Sequence, residues 1–483
     1  MMQPGSEGER VGGRIVNDVH SRLNPTVVAE VVSVASLGSL QEEITRARED
    51  RRPVAVSGGR HAMGGQQFCA DGVLLDTTRL DGVLAFDRAA GTIEVQAGIQ
   101  WPALIRWLHE AQRASTERWT IAQKQTGANN LSIGGAVAAN VHGRGLRMPP
   151  FVADLERLVV VDPSGRVLEC SRTENRDLFS LVVGGYGLFG IVYAATLRLV
   201  PLRKLERVVE LILVDDLIRA FDDRIANGFL YGDLQFAIDP RSDDFLRRGV
   251  FSCYRPVPDE TPIPSEQRVL TAEDWNRLLL LAHTDKTRAF DLYAAHYLAT
   301  SGQIYLSDEH QLALYVDGYH GDLDASLGLR GEASEMITEV YVPRPRLADF
   351  MAAVADDFRE DSTDVVYGTI RLVERDEETF LVWAHEPWAC VIFNLHVDHT
   401  EEGIERSGHA FRRLIDRAIE RHGSYYLTYH RHATRAQLEA CYPQFGEFLA
   451  RKHDLDPDDV FQSDWYRHYR QMYARGRQPD VPA

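Results

Sequence analysis

Two glycine-rich runs hold the residue types and spacings from which chemistry can be argued. The first is SGGRHAMGGQ, Ser57 to Gln66, directly after the apolar segment PVAV. Glycine lets backbone come close to a ligand, and successive N–H groups can form a nest that holds a pyrophosphate without any lysine. A dinucleotide fits such a loop. Gly58 and Gly59 alone are as consistent with a plain strand-ending turn. His61 favours the ligand, because an imidazole inside a phosphate loop has little structural use, yet its nitrogen can bond to a methyl carbon of a bound ring.

The second run, QTGANNLSIGGAVAANVHGRG, spans Gln125 to Gly145. Its small residues would let a flat ring lie against backbone, with Asn130, Ser132 and glycine N–H groups toward the pyrophosphate. His142, at the exit of the run, is placed at a ring edge or caps the following turn. A third run, Gly185 to Gly190, matches G-x-G-x-x-G, but that dinucleotide fingerprint requires a helix after it. The next segment, IVYAATLRLV, has the β-branched alternation of a strand, so a Rossmann domain is rejected.

The elements that must position these loops begin near Val31 as strand, helix, strand: EVVSVAS, SLQEEITRARED, PVAVSGG. Ser39, with Glu42 three residues on, forms a capping-box pattern at the helix start. The runs GVLLDTT and GTIEVQAG and an amphipathic helix in WPALIRWLHEAQ continue the alternation to Pro201. Residues 202–420 differ, with long polar loops, a helical stretch near WNRLLLLAH and the strands VVYGTIRLVE and CVIFNLHV, a pattern that predicts an antiparallel sheet covered by helices. The expected fold class is α+β, with a disordered or extended tail over 1–23, a first domain over 24–201, a second over 202–420 and a closing segment over 421–483.

A chain of 483 residues with 44% apolar content fits two or three domains. The net charge of -18 argues against nucleic acid or anionic membrane as a partner, since both rely on clustered Lys and Arg. No stretch approaches the roughly 18 apolar residues of a membrane helix, and the polar start lacks the apolar core of a secretory signal, so a cytoplasmic protein is expected. Cys69, Cys170, Cys253, Cys390 and Cys441 are scattered without paired spacing and read as small buried residues rather than disulfides or a zinc site. The acidic runs Glu374 to Glu378 and Asp456 to Asp459 read as solvated faces and helix starts.

Together the three glycine segments resemble the vanillyl-alcohol oxidase superfamily, whose FAD domain is called PCMH-type. SGGRHAMGGQ is similar to the histidyl-FAD loop of cytokinin dehydrogenases and sugar oxidases, LSIGGAVAANVHGRG to the second pyrophosphate loop, and FGIVYAATLRLVP to the closing strand, over about residues 28–201. The resemblance implies a two-subdomain FAD-binding domain plus a substrate cap. It implies FAD held by Ser57, Gly58, Gly59, Arg60, His61, Ala62, Met63, Gln66, Thr126, Gly127, Asn130, Ser132, Gly135, His142, Gly143, Gly190, Ile191 and Val192, with an 8α-histidyl bond through His61. The C-terminal part resembles the cap of alditol and aldonolactone oxidases and, more faintly, decaprenylphosphoryl-ribose oxidase.

In that cap, YGTIRLVERD and CVIFNLHV would set Arg371 and His396 over the flavin. Arg371 is planar and permanently cationic, suited to a substrate oxygen or a reduced flavin; the plainer reading is a surface strand arginine. His396 points into the cavity or is a satisfied core histidine. Where the relatives carry a lysine, this chain offers Tyr429 or His430, and adjacent strand residues face opposite ways, so one of the two reaches the flavin. His396 and His399 diverge at strand spacing, and no metal is expected. The function implied is hydride transfer from a CH–OH group of a small alcohol, polyol or sugar-like substrate to FAD, with oxygen or another acceptor taking the electrons. The alternatives are a related flavin reaction on a lipid-linked sugar, an amine or a C=C bond, and, below those, an inactive flavin-binding protein.

Overall fold

The computed structural model describes residues 10–313, 319–328 and 331–475, a mixed α/β arrangement on three sheets. The first sheet has four strands in the order Arg10–Val16, Thr26–Ser33, Val73–Asp76, Val54–Ser57, the last three parallel. Parallel strands are covered on both faces, and Val32, Val54, Val73 and Leu75 are accordingly all buried. The helix Leu37–Glu49 crosses between two of these strands and buries Leu40, Ile44 and Ala47, one stripe at helical spacing.

One expectation does not hold in this region. The capping box of that helix is Ser36 with Ser39, not Ser39 with Glu42. The Ser36 hydroxyl accepts the Ser39 N–H at 3.1 Å and Ser39 Oγ accepts the Ser36 N–H at 3.1 Å, so the helix starts one turn earlier. The tail over 1–23 is, in its described part, a strand at Arg10–Val16 followed by a turn; residues 1–9 lie outside the described residues. Asp18 closes that turn by accepting backbone N–H groups from His20 and Ser21.

The second sheet is antiparallel: Val83–Asp87, Thr92–Gln96, Ile191–Pro201, Leu155–Val161 and Val167–Ser171, with Trp119–Ile121 also paired to Ile191–Pro201. The run Gly185–Gly190 is thus followed by an 11-residue strand, which leaves no dinucleotide fingerprint of the Rossmann kind.

The third sheet has eight antiparallel strands: Ile304–Leu306, Lys204–Leu213, Arg248–Val257, Tyr231–Phe236, Val365–Val373, Trp388–Asp398, Ala333–Pro343 and Ser424–Tyr425. The helices Val214–Ala226, Leu347–Glu360 and Glu401–Ile419 pack on it. Along its central strands the side chains alternate. Tyr367, Thr369 and Arg371 line a cavity while Ile370 and Leu372 join the apolar core. Glu335, Ile337 and Glu339 do the same on the neighbouring strand against Met336 and Val340.

The chain then returns to the first sheet, where Val54 N–H donates to Val460 and Gln462 N–H donates to Val54. Asp456 is not on a solvated face as expected. It is buried, pairs with the buried Lys452 at 2.6 Å and accepts the N–H groups of Val460 and Phe461, holding the turn that makes the return possible. Asp376 in the other acidic run is likewise buried, accepting from Asn140 Nδ2 at 3.0 Å.

Candidate active site

One cavity of about 750 Å³ lies between the two glycine loops, the closing strand at Ile191 and the third sheet. Its size falls within the range of about 300–1,000 Å³ usual for ligand clefts. The two loops interlock. A Cβ placed on Gly58 would collide with the Ser132 side chain, and one on Gly59 with the Asn130 carbonyl and the His61 ring. The absence of side chains at these two positions therefore brings the loops together and leaves bare backbone facing the cavity.

The first loop is pinned from the far side. Gln66 Nε2 donates to the carbonyls of Leu427 and Thr428 at 2.8 and 3.0 Å, and Met63 N–H donates to Thr428. Those bonds seat Tyr429 beside the loop. In the second loop Ser132 Oγ accepts the Gly135 N–H at 3.3 Å, fixing the start of the helix Ile133–Ala139. Ser57, Gly58, Gly59, Arg60, His61, Ala62, Met63, Gln66, Thr126, Gly127, Ser132, Gly135, His142, Gly190, Ile191 and Val192 all line the cavity.

Two of the expected cofactor residues do not. Asn130 is turned so that its carbonyl meets Gly59, and Gly143 packs against the Lys124 carbonyl. Both shape the loops from behind.

His61 Nδ1 lies 2.8 Å from His20 Nε2, while its own Nε2 is buried with no well-formed hydrogen bond. Burial, then the neighbouring His20 ring, push the His61 imidazole down to about 3 against the pull of the Asn130 backbone. It is therefore neutral at physiological pH, and a neutral imidazole keeps one unprotonated nitrogen, the form a covalent link to a ring methyl requires. His20, in the segment taken for a tail, was not foreseen; only the folding of the Asp18 turn brings it there.

On the opposite wall Arg371 is 6% exposed, its Nε has no partner, and its guanidinium faces the cavity. Tyr429 also lines it, and its hydroxyl donates to Glu339 Oε2 at 3.2 Å. His430 points the other way and packs on the His432 ring, where burial and then His432 lower its pKa to about 3. Tyr429 and His430 lie in a turn after the strand Ser424–Tyr425, not in the strand expected, and the turn directs Tyr429 into the cavity and His430 away from it.

His396 is also removed. It shares the face of Ile392 and Asn394, which line the cavity, but it lies one step further along the strand, where the His283 ring covers it at 4.9 Å and Asp398 sits at 3.6 Å.

Glu339 was not foreseen either. Its carboxylate accepts from His142 Nε2 at 2.8 Å and from the hydroxyls of Tyr341 and Tyr429. Burial would raise its pKa, but His142, these hydrogen bonds and Arg371 outweigh it and hold the carboxyl below its ordinary value. The period-two spacing of Glu335, Ile337 and Glu339 in a strand was the signal that could have found it. His142 therefore meets a carboxylate rather than a turn carbonyl alone, with Cys390 Sγ 3.8 Å away. Those three side chains offer ligand atoms within 4.8 Å of one another, although two tyrosine hydroxyls already occupy the Glu339 oxygens. Beneath the second loop Lys124 Nζ donates to the Gln125 and Gln311 carbonyls, and burial followed by Arg144 and Arg371 brings it down to about 7.

The cradle therefore suits FAD in three respects: bare glycine backbone at two touching turns, a neutral imidazole beside them, and a cavity long enough to continue past both. Comparison with known proteins agrees. Residues 28–171 match the family described as FAD binding domain. The L-gulono-1,4-lactone dehydrogenase of Mycobacterium tuberculosis is 25% identical over 438 residues, 90% of this chain and 95% of that one. The L-gulonolactone oxidase of Mus musculus is 28% identical over 167 residues, 34% of this chain and 36% of that one. Cytokinin dehydrogenase 9 of Oryza sativa subsp. japonica is 27% identical over 200 residues, 40% and 37% of the two chains. Among the described residues no helix is long and apolar enough to cross a membrane, and all five cysteines are buried and free.

Proposed function

We infer, given that this chain is an FAD-dependent oxidoreductase of the vanillyl-alcohol oxidase superfamily, that it oxidises a CH–OH group of a hydroxylated small molecule. The observation that carries this is that Arg371, Tyr429 and Glu339 line the same cavity as His61 and the Gly58–Gly59 turn, with the Tyr429 hydroxyl bonded to Glu339. FAD would be held by the two glycine loops, with His61 placed for a covalent bond, and when bound would supply the hydride acceptor.

The protein's part is position and proton transfer. Arg371, a buried cation facing the cavity, binds and orients the substrate oxygen. The hydroxyl proton passes to Tyr429 Oη as the tyrosine's own proton moves to the Glu339 carboxylate, held ionised by His142 and Arg371. The substrate loses one proton and one hydride in all and leaves as the carbonyl compound.

The activities by which the relatives are named make L-gulono-1,4-lactone a first donor to try. Anaerobic mixing of the holoprotein with a panel of lactones, alditols and simple alcohols should bleach the flavin with at least one of them. A flavin that stays oxidised with every alcohol but bleaches with an amine, or with none, overturns the reading. Admitting air to the reduced enzyme then shows whether oxygen is the acceptor.

A further inference from the structure

The cavity runs on past the loops around His61, between the third sheet and the helical pair Ala272–Thr284 and Lys286–Leu298. Its wall there is apolar. Trp275, Leu278, Leu279 and Ala282 recur at helical spacing on the first helix, and Phe290, Tyr293 and Tyr297 on the second. A stripe of that kind ordinarily faces a protein core. Here Trp275, Leu278 and Leu279 are only half-buried, because they face the open space of the cavity.

The charged groups near this end are matched within the protein. Arg207 stacks on Tyr254, Tyr297 and Tyr305 and donates to Tyr254 Oη and Thr300 Oγ1. Arg144 lies 3.8 Å from Asp233 and donates to the His310 carbonyl. Polar atoms without a well-formed hydrogen bond line the cavity at Arg371 Nε and, on the wall facing the helices, at Arg144 Nε, Gln235 Oε1 and the His310 ring. The apolar part of the chamber is thus its helical wall, where Trp275, Leu278, Leu279 and Ala282 offer no polar side-chain partner apart from the indole N–H.

Resting on the CH–OH reading above, we propose that the substrate is a hydroxylated compound with a bulky apolar body, its carbinol end at Arg371 and Tyr429 and its body between the two helices. A bare polyol or sugar lactone would leave the wall of Trp275, Leu278 and Leu279 against water.

The test is anaerobic flavin reduction of the holoenzyme by straight-chain primary alcohols of increasing length and by an arylalkyl alcohol, beside xylitol and L-gulono-1,4-lactone. The expected result is a gain in kcat/KM of about fourfold per added methylene until the chamber is filled, the burial value of one such group. Leu278→Asn and, separately, Leu279→Asn should flatten that gradient. Binding is read independently from the ligand-induced fluorescence change that the wild type shows and Trp275→Phe lacks. Polyols or lactones reducing the flavin with no gain from apolar length overturn this proposal and leave the oxidation reading standing. Long alcohols that bind by fluorescence with the same length dependence, but never reduce the flavin, sink the oxidation reading and sustain the apolar chamber. No length dependence in either readout overturns the chamber.

Discussion

Replacing Glu339 by Gln tests the proton path at its terminal acceptor. The carboxylate is 2% exposed and accepts hydrogen bonds from His142 at 2.8 Å, from Tyr429 at 3.2 Å and from Tyr341. A glutamine of the same shape keeps one acceptor oxygen but turns an amide N–H₂ toward groups that are themselves donors, so at least one of the three bonds is lost. A hydrogen bond to a charged group contributes about 1.5–3 kcal/mol, and the variant should lose stability on that order. The rate of flavin reduction should fall further, by about 10²–10⁴-fold, the usual contribution of a positioned base. Substrate affinity should change less than the rate, because in the proposed path Glu339 takes the proton from Tyr429 while Arg371 holds the substrate oxygen. The pH profile supplies a second readout. His142 and the other hydrogen bonds hold the carboxyl below its ordinary value, so the wild type should keep its rate as pH falls to the ordinary carboxylate range and lose it only below. Anaerobic stopped-flow reduction across pH, with thermal unfolding of both proteins alongside, measures all three quantities. A Glu339→Gln enzyme that reduces its flavin at the wild-type rate would refute the path.

His61→Ala should release FAD from acid-precipitated protein, whereas the wild-type precipitate stays yellow; a colourless wild-type precipitate removes the covalent bond while leaving FAD binding intact. Gly59→Ala places a methyl group against the Asn130 carbonyl and the His61 ring, and the purified variant should carry little or no flavin by its absorbance. Lys452→Met strands the buried Asp456 without its cation, which should cost about 3–5 kcal/mol in urea unfolding, and normal stability in that variant would contradict the pairing. Burial, reinforced by neighbouring cations, pushes His61 and His430 down to about 3 and His320, His432 and His468 down to about 4 from an ordinary 6.5. These groups stay neutral in the folded state while the unfolded chain takes up protons, so the stability they contribute is complete above about pH 6.5 and drains away toward pH 3–4. Urea midpoints at pH 7.5 and 5.5 that coincide would count against their burial.

The features legible in the residues alone were local. Runs of β-branched side chains, the glycines of SGGRHAMGGQ and LSIGGAVAANVHGRG, and the strand after Gly190 each declare a backbone conformation through short-range sterics, and these carried the cofactor loops and the rejection of a Rossmann domain. Strand alternation was the reason for expecting Tyr429 and His430 to face apart, but the two lie in a turn, so that rule does not apply to them. Nor could it say which one faces the cavity, because that depends on which side of the chain the loop at Gln66 is tied to, through bonds spanning 361 and 362 residues. His396 has the right parity and the wrong register, a distinction that exists only once His283 packs over it. Glu339 and His20 became site residues because strands and turns far apart in the chain converge on one cavity. Their neighbours, burial and charge state are properties of that convergence, and no stretch of sequence around either residue contains them.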